Sequence, residues 1–230
     1  MKNLRYLQED NVDTGRLRVS VTDQNTGVPV QDADIQISYT GDPSQTIEEV
    51  ETDVSGNSET LTLAAPPLEY SMQPSERQPY AEYTITITAE GYRPISISGI
   101  DVLPEETSLQ SVRMEKMDAP GNPLPNIVIP ANTLFGNFPS KIPESEVKPV
   151  TETGEIVLSR VVVPEFVVVH DGVPTDTTAT NYYVRYRDYI KNVAASEIYS
   201  TWPDATIRAN VLAIMSFTLN RVYTEWYRNQ

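Results

Sequence analysis

Between Gly15 and Met114, apolar residues recur at every second position in short runs. Leu17, Val19 and Val21 alternate with Arg16, Arg18, Ser20 and Thr22. Ala33, Ile35, Ile37 and Tyr39 do the same, and so do Leu61 and Leu63. Tyr83, Ile85 and Ile87 alternate with Thr84, Thr86 and Thr88 in the clearest run of the chain. Ile95, Ile97 and Ile100, then Leu109, Val112 and Met114, extend the pattern. A period of two puts one set of side chains on one face, which predicts strands buried on one side. Turn chemistry separates the runs at Asp23–Gly27, Thr40–Pro43, Thr52–Asn57 and Glu90-Gly91-Tyr92. About seven short strands over roughly a hundred residues, with no helical period among them, predict an antiparallel β-sandwich. Residues 1–14 read as extended or frayed, and the stretch between Pro66-Pro67 and Pro79 reads as a long functional or mobile loop.

Past Met114 the pattern changes. Met117–Val150 contains Pro120, Pro123, Pro125, Pro130, Pro139, Pro143 and Pro149. Proline fixes φ and removes a donor, so helix and central strand are excluded there. A semi-extended spacer of about 3 Å per residue is expected. Ile127, Val128, Ile129, Leu134, Phe135, Phe138 and Ile142 give it enough apolar character to lie against a surface. Gly154–Leu158 and Val161–His170 read as one or two valine-rich strands covered on both faces and paired, either within this chain or with another.

Two helices follow. Ile190, Val193 and Ala194 give the first an apolar face, with Asp188 as N-cap and Ser196 as its end. The second is predicted to start from Ser200 or Thr201, with Pro203 in its first turn and Asp204 paired to Arg208. Ile207, Val211, Ile214, Met215 and Leu219 form one stripe, and Leu212 and Phe217 widen it. That predicts an enclosed central helix running to about residue 227. The expected architecture is α+β and multidomain: a flexible start (1–14), a β-sandwich of transthyretin or immunoglobulin type (15–116), a Pro-rich linker (117–153), and a mainly helical partial domain with a short valine-rich strand region (154–230).

Charge sharpens the division. Residues 1–118 carry 21 acids and 8 bases, and residues 119–230 carry 11 and 9. An acidic front half argues against nucleic-acid binding, which needs a basic stripe. No apolar run reaches the roughly 20 residues of a membrane span. The first residues lack an apolar core, so no secretory signal is expected. Synthesis is expected in the cytoplasm, with the spore, the cell envelope or a released particle as later destinations. The absence of cysteine excludes disulfides, thiolate catalysis and Cys-ligated zinc. His170, next to Asp171, is the only histidine and is read as a strand-end residue. No metal or cofactor is called for.

Two resemblances add to this. Gly15–Ile37, Thr52-Asp53-Val54-Ser55-Gly56, Tyr83–Ile87 and Glu90-Gly91-Tyr92 resemble the carboxypeptidase-regulatory, transthyretin-like sandwich over residues 15–114. That resemblance implies an accessory module for folding support, adhesion or docking. Asp188–Ile198, Trp202-Pro203 and Ile207–Ala213 resemble the start of the stage II sporulation protein D family, over about residues 182–228. It covers only the first part of that domain. The family's members are lytic transglycosylases that cut peptidoglycan glycan strands. The resemblance implies Glu197 as catalytic acid/base, with Tyr199, Trp202 and Arg208 as substrate-binding candidates. A single carboxyl group can serve such a lyase first as acid and then as base, provided an apolar setting keeps it protonated. Ile198, Tyr199 and Trp202 are the residues expected to supply that setting. The rival expectation is a non-catalytic subunit whose valine strands, tether and rear helix dock onto other protein subunits in a larger assembly.

Overall fold

The computed structural model describes residues 12–73, 76–117, 125–132, 134–135, 162–173 and 176–223. The chain divides into two compact units, residues 1–136 and 137–230.

The first unit is a β-sandwich. Its strands are β1 (Asp13–Asp23), β2 (Asp34–Tyr39), β3 (Asp42–Glu51), β4 (Leu61–Ala65), β5 (Ala81–Thr88), β6 (Ile95–Val102), β7 (Thr107–Met114) and β8 (Asn126–Val128). One sheet has the order β4-β1-β7 and the other β3-β2-β5-β6-β8. The alternating residues face each other between the sheets. Leu17, Val19, Val21, Ile35, Ile37, Tyr83, Ile85 and Ile87 have no exposed surface. Full burial of one such side chain is worth about 1.5–3 kcal/mol. The Tyr83 hydroxyl crosses the interior to donate to the Ala64 carbonyl on the other sheet, at 2.7 Å. Burial pushes its phenol far up from the ordinary value, with Tyr39 adding to the effect.

The turns are held by short polar side chains. Asp23 Oδ1 accepts from the amides of Asn25 and Thr26 at 2.9 and 2.8 Å, and Oδ2 accepts from the Tyr92 hydroxyl at 3.1 Å. These bonds, led by Thr26, hold its carboxyl down to about 2. Asp53 Oδ1 accepts from Ser55 and Asn57 amides. Gly56 in the same turn has φ +70°, and a Cβ there would meet the Val21 carbonyl oxygen at 2.4 Å. Only glycine satisfies both demands. The buried Thr52 hydroxyl accepts from Ala33 N at 2.9 Å and donates to Val30 O at 2.8 Å, pinning the β2 entry to the end of β3.

Four expectations are corrected here. The sandwich is not wholly antiparallel, because β1 pairs in parallel with β7 and β6 with β8. Residues 42–51, where the alternation predicts no strand and Asp42-Pro43 is read as part of a turn, form β3. This edge strand carries Asp42, Glu48, Glu49 and Glu51, and its apolar residues Ile47 and Val50 are half-buried. Charges on an edge protect it from pairing with other chains. The 66–79 loop contains one helical turn, α1 (Glu69–Met72). Part of the proline-rich stretch is strand: β8 lies between Pro125 and Pro130 on the outer edge of its sheet, where missing donors are tolerated.

The second unit contains the hairpin β9 (Phe166–His170) and β10 (Asn181–Arg185), then α2 (Tyr186–Ala195) and α3 (Asp204–Tyr223). Its buried cluster is Val167, Tyr186 and Ile190, with Val169, Tyr189, Val211, Ile214, Met215, Leu219 and Val222 packed partly against it. The predicted strand at Gly154–Leu158 lies outside the described residues.

Candidate functional site

The sequence points to the corner between α2 and α3. The hairpin runs straight into α2, whose first residue is Tyr186, so Asp188 sits inside the first turn and is not the N-cap. There it still complements the positive helix end. Ser196 closes the helix. Its amide donates to Asn192 O and Val193 O at 3.1 Å each, and its hydroxyl donates to Asn192 O at 3.0 Å. The amides of Glu197 and Ile198 both reach Ala194 O at 3.0 Å. Pro203 O then accepts from Thr206 and Ile207 amides, which places Pro203 just before α3, two to three residues later than Ser200 or Thr201 would have started it.

Along this corner, Glu197 is exposed, Ile198 is buried, Tyr199 and Trp202 are half-buried, and Arg208 is exposed on α3. The apolar enclosure expected around Glu197 does not take that form. Ile198 points to the interior, and the Tyr199 hydroxyl is shielded from solvent. Asp204 and Arg208, expected to pair, form no ion pair among the described residues.

His170 has a different neighbour from the one its sequence suggests. It stands opposite Asn181 in the hairpin register and meets that side chain, with Nδ1 and Asn181 Oδ1 2.8 Å apart. Its Nε2 lies 3.1 Å from Val173 O. With oxygen acceptors at both ring nitrogens, the doubly protonated ring fits best. Accordingly its pKa is raised, chiefly by Asn181 against an opposing desolvation that comes second, with Val173 and then the Asp176 charge adding to the rise. Asp176 is lowered by the hydroxyl and amide of Thr178.

The feature that sequence reasoning missed is the outer surface of this unit. In the hairpin register Phe166 stands beside Arg185 and Val168 beside Tyr183. Phe166, Val168 and Tyr183 are 45%, 55% and 79% exposed. The Arg185 guanidinium lies 6.0 Å from the Phe166 ring. On α3, Leu212 and Phe217 are also more than half exposed, at 62% and 51%. Among the described residues, the valine strand β9 is therefore covered on one face only, and α3 is not enclosed. A sequence apolar on two helix faces signals burial without saying whether the same unit provides it.

No protein-family model matches the chain, so neither resemblance gains support from that comparison. No curated protein matches it either. Among solved structures, the Bacillus anthracis TIE protein is 15% identical with a TM-score of 0.32, over 46% of this chain and 17% of that one. A minor pilin of Streptococcus agalactiae is 15% identical at 0.32, over 49% and 48%. The 3-chlorocatechol 1,2-dioxygenase of Rhodococcus opacus is 16% identical at 0.32, over 48% and 62%. The chain spans less than two thirds of each of these proteins, and the likeness concerns fold alone.

Proposed function

We propose that this chain is a structural or adaptor subunit of a larger protein assembly, with the second unit as its docking end. The observation that supports this reading is the set of large apolar side chains left exposed, Phe166, Val168 and Tyr183 on the hairpin and Leu212 and Phe217 on α3. Side chains of this size left open on so small a unit mark an interaction surface. The sandwich supplies a self-contained body, and no helix among the described residues is long and apolar enough to cross a membrane.

The competing reading is cleavage of peptidoglycan glycan strands with Glu197 as acid/base and Tyr199, Trp202 and Arg208 around the sugar. One observation favours it: Glu197 is open to solvent at a corner shared with half-buried Tyr199 and Trp202. Two measurements on the full chain separate them. Light scattering is expected to show association that Val168→Asp or Leu212→Glu abolishes. Incubation with purified peptidoglycan is expected to give no anhydro-sugar products. A strictly monomeric chain that releases such products, and loses them in Glu197→Gln, overturns the subunit reading.

A further inference from the structure

The charge of the sandwich is divided between its two sheets. The five strands of the larger sheet carry seven acids and no lysine or arginine. The smaller sheet carries three arginines, Arg16 and Arg18 on β1 and Arg113 on β7. Its two acids, Asp13 and Asp23, stand at the ends of β1 and are engaged locally. Asp13 Oδ2 accepts from Leu68 N at 2.7 Å, and Asp23 is buried with Tyr92 and Lys116 at its carboxylate. Alternation places the arginines. Leu17, Val19, Val112 and Met114 are buried between the sheets, so Arg16, Arg18 and Arg113 leave from the outer face, and all three are exposed. In the parallel register Arg18 stands beside Leu109, which is 74% exposed. β4 adds no charge to this face. Glu105 and Glu106 sit beyond its end, in the connection before β7. Arg16 is held by Thr107 Oγ1 at 2.9 Å and Glu105 O at 2.7 Å. Arg18 and Arg113 form no ion pair among the described residues.

The outer face of the larger sheet holds the complement. Ile35 and Ile37 point inward, so Asp34 and Gln36 point out, and the register sets Asp34 opposite Glu51 and Gln36 opposite Glu49. The Gln36 side chain donates to Glu49 Oε1 at 2.7 Å. Asp34 and Glu51 form no ion pair among the described residues, and like charges directly opposite each other repel. Asp34, Glu49 and Glu51 are all exposed. A cation brought against this corner relieves the repulsion and gains attraction. Acids on an edge strand deter backbone pairing. These three also project from the face of the sheet, where side chains meet side chains.

We propose that the sandwich binds a second copy of itself head to tail through these two faces. Arg16, Arg18 and Arg113 around Leu109 on one copy meet Asp34, Glu49 and Glu51 on the next. The faces point to opposite sides of the sandwich because its sheets pack back to back. Contact between unlike faces leaves one of each kind free, so further copies add in a row. The spacing agrees. Arg16 and Arg18 are two residues apart on one strand, as are Glu49 and Glu51, which separates each pair by about 6.6 Å. A second copy is the occupant that uses both faces at once. The contact lies wholly on the sandwich and is independent of the docking surface on the second unit.

Light scattering of the full chain carrying Val168→Asp, which silences the docking end, tests it. At about 0.01 M salt, where the screening length is about 30 Å, the mean mass is expected to rise with concentration past that of a dimer. At about 1 M salt, where that length is about 3 Å, it should return to the monomer. Arg18→Glu or Glu51→Lys, each added to this chain, disables one face and is expected to weaken self-association by about tenfold or more. An equimolar mixture of the two variants should regain association that neither shows alone, because each supplies the face the other lacks. Both positions are exposed, and unchanged far-ultraviolet dichroism checks that each variant folds. A Val168→Asp chain that stays monomeric at low salt, variants that associate as well as their parent, or a mixture that remains monomeric overturns the proposal. The docking end is read separately, from the wild type at about 1 M salt, where apolar contact persists.

Discussion

In the sandwich, Leu17, Val19, Val21, Ile35, Ile37, Tyr83, Ile85, Ile87 and Val102 lose all their exposed surface. In the second unit, Val167, Tyr186 and Ile190 keep 7%, 5% and 8% of theirs, and the residues packed on them are only partly covered. Both regions are rich in valine, isoleucine and aromatic residues, so composition does not separate them. Geometry does. Two facing sheets give every inward residue a partner layer, and the interior closes on itself. Among the described residues of the second unit, one two-stranded hairpin and two helices have too many outward faces for their number of elements. The apolar surplus there stays exposed among the described residues, while in the sandwich it is consumed within the fold.

The contrast can be broken by mutation. The largest effect is expected for Ile85→Ala, a cavity at a fully enclosed site that costs about 3–4 kcal/mol. Ile190→Ala is expected to cost about half of that, because its surroundings are already partly open. Chemical denaturation can report each unit separately. Both tryptophans, Trp202 and Trp226, lie in the second unit, so their fluorescence follows that unit, and far-ultraviolet dichroism is dominated by the sandwich. Equal costs at the two sites would remove the basis of the comparison.

A smaller effect is expected at Asp23. Its carboxyl is lowered in the folded state, so the stability it contributes is present above the unfolded value near 4 and is lost as pH falls through about 2. Asp23→Asn should flatten the acid limb of the sandwich's stability curve and leave the neutral limb unchanged. An unchanged acid limb would show that the turn is held by its backbone alone. The smallest change is expected for Val168→Asp and Leu212→Glu. Unfolding of the monomer should move by no more than about 0.5 kcal/mol, since both positions are exposed. A loss of several kcal/mol would mean that these faces are covered within the chain.

The sandwich strands were readable where burial is one-sided. β1, β2 and β5 place each expected apolar residue inward, because period two and a facing layer tell the same story. β3 was not readable. As an edge strand exposed on much of both faces, it replaces alternation with acids, and its register slips between Ile37 and Tyr39 of β2. α2 begins two residues before Asp188 because β10 feeds it directly, and tertiary pairing there outweighed the capping preference. At the corner, the sequence named Glu197 and its neighbours. Which of them face solvent depended on the local turn geometry, which turns Ile198 inward and leaves Glu197 out. His170 found Asn181 because the hairpin register sets them opposite, and no spacing rule along the chain relates those two residues.

The parallel pairing of β1 with β7 has a consequence for how the chain acquires its shape. β1 is the middle strand of its sheet, yet its neighbours come from Leu61–Ala65 and Thr107–Met114, with Arg16 aligned to Thr107. Such long sequence separations make ordering slow and defer it until the distant segment is present. During synthesis the first strand must therefore wait, unpaired along one side, until Met114 has left the ribosome. The nascent chain is most exposed to misassociation through its earliest strand, at the stage when only the acidic edge of β3 guards the other sheet.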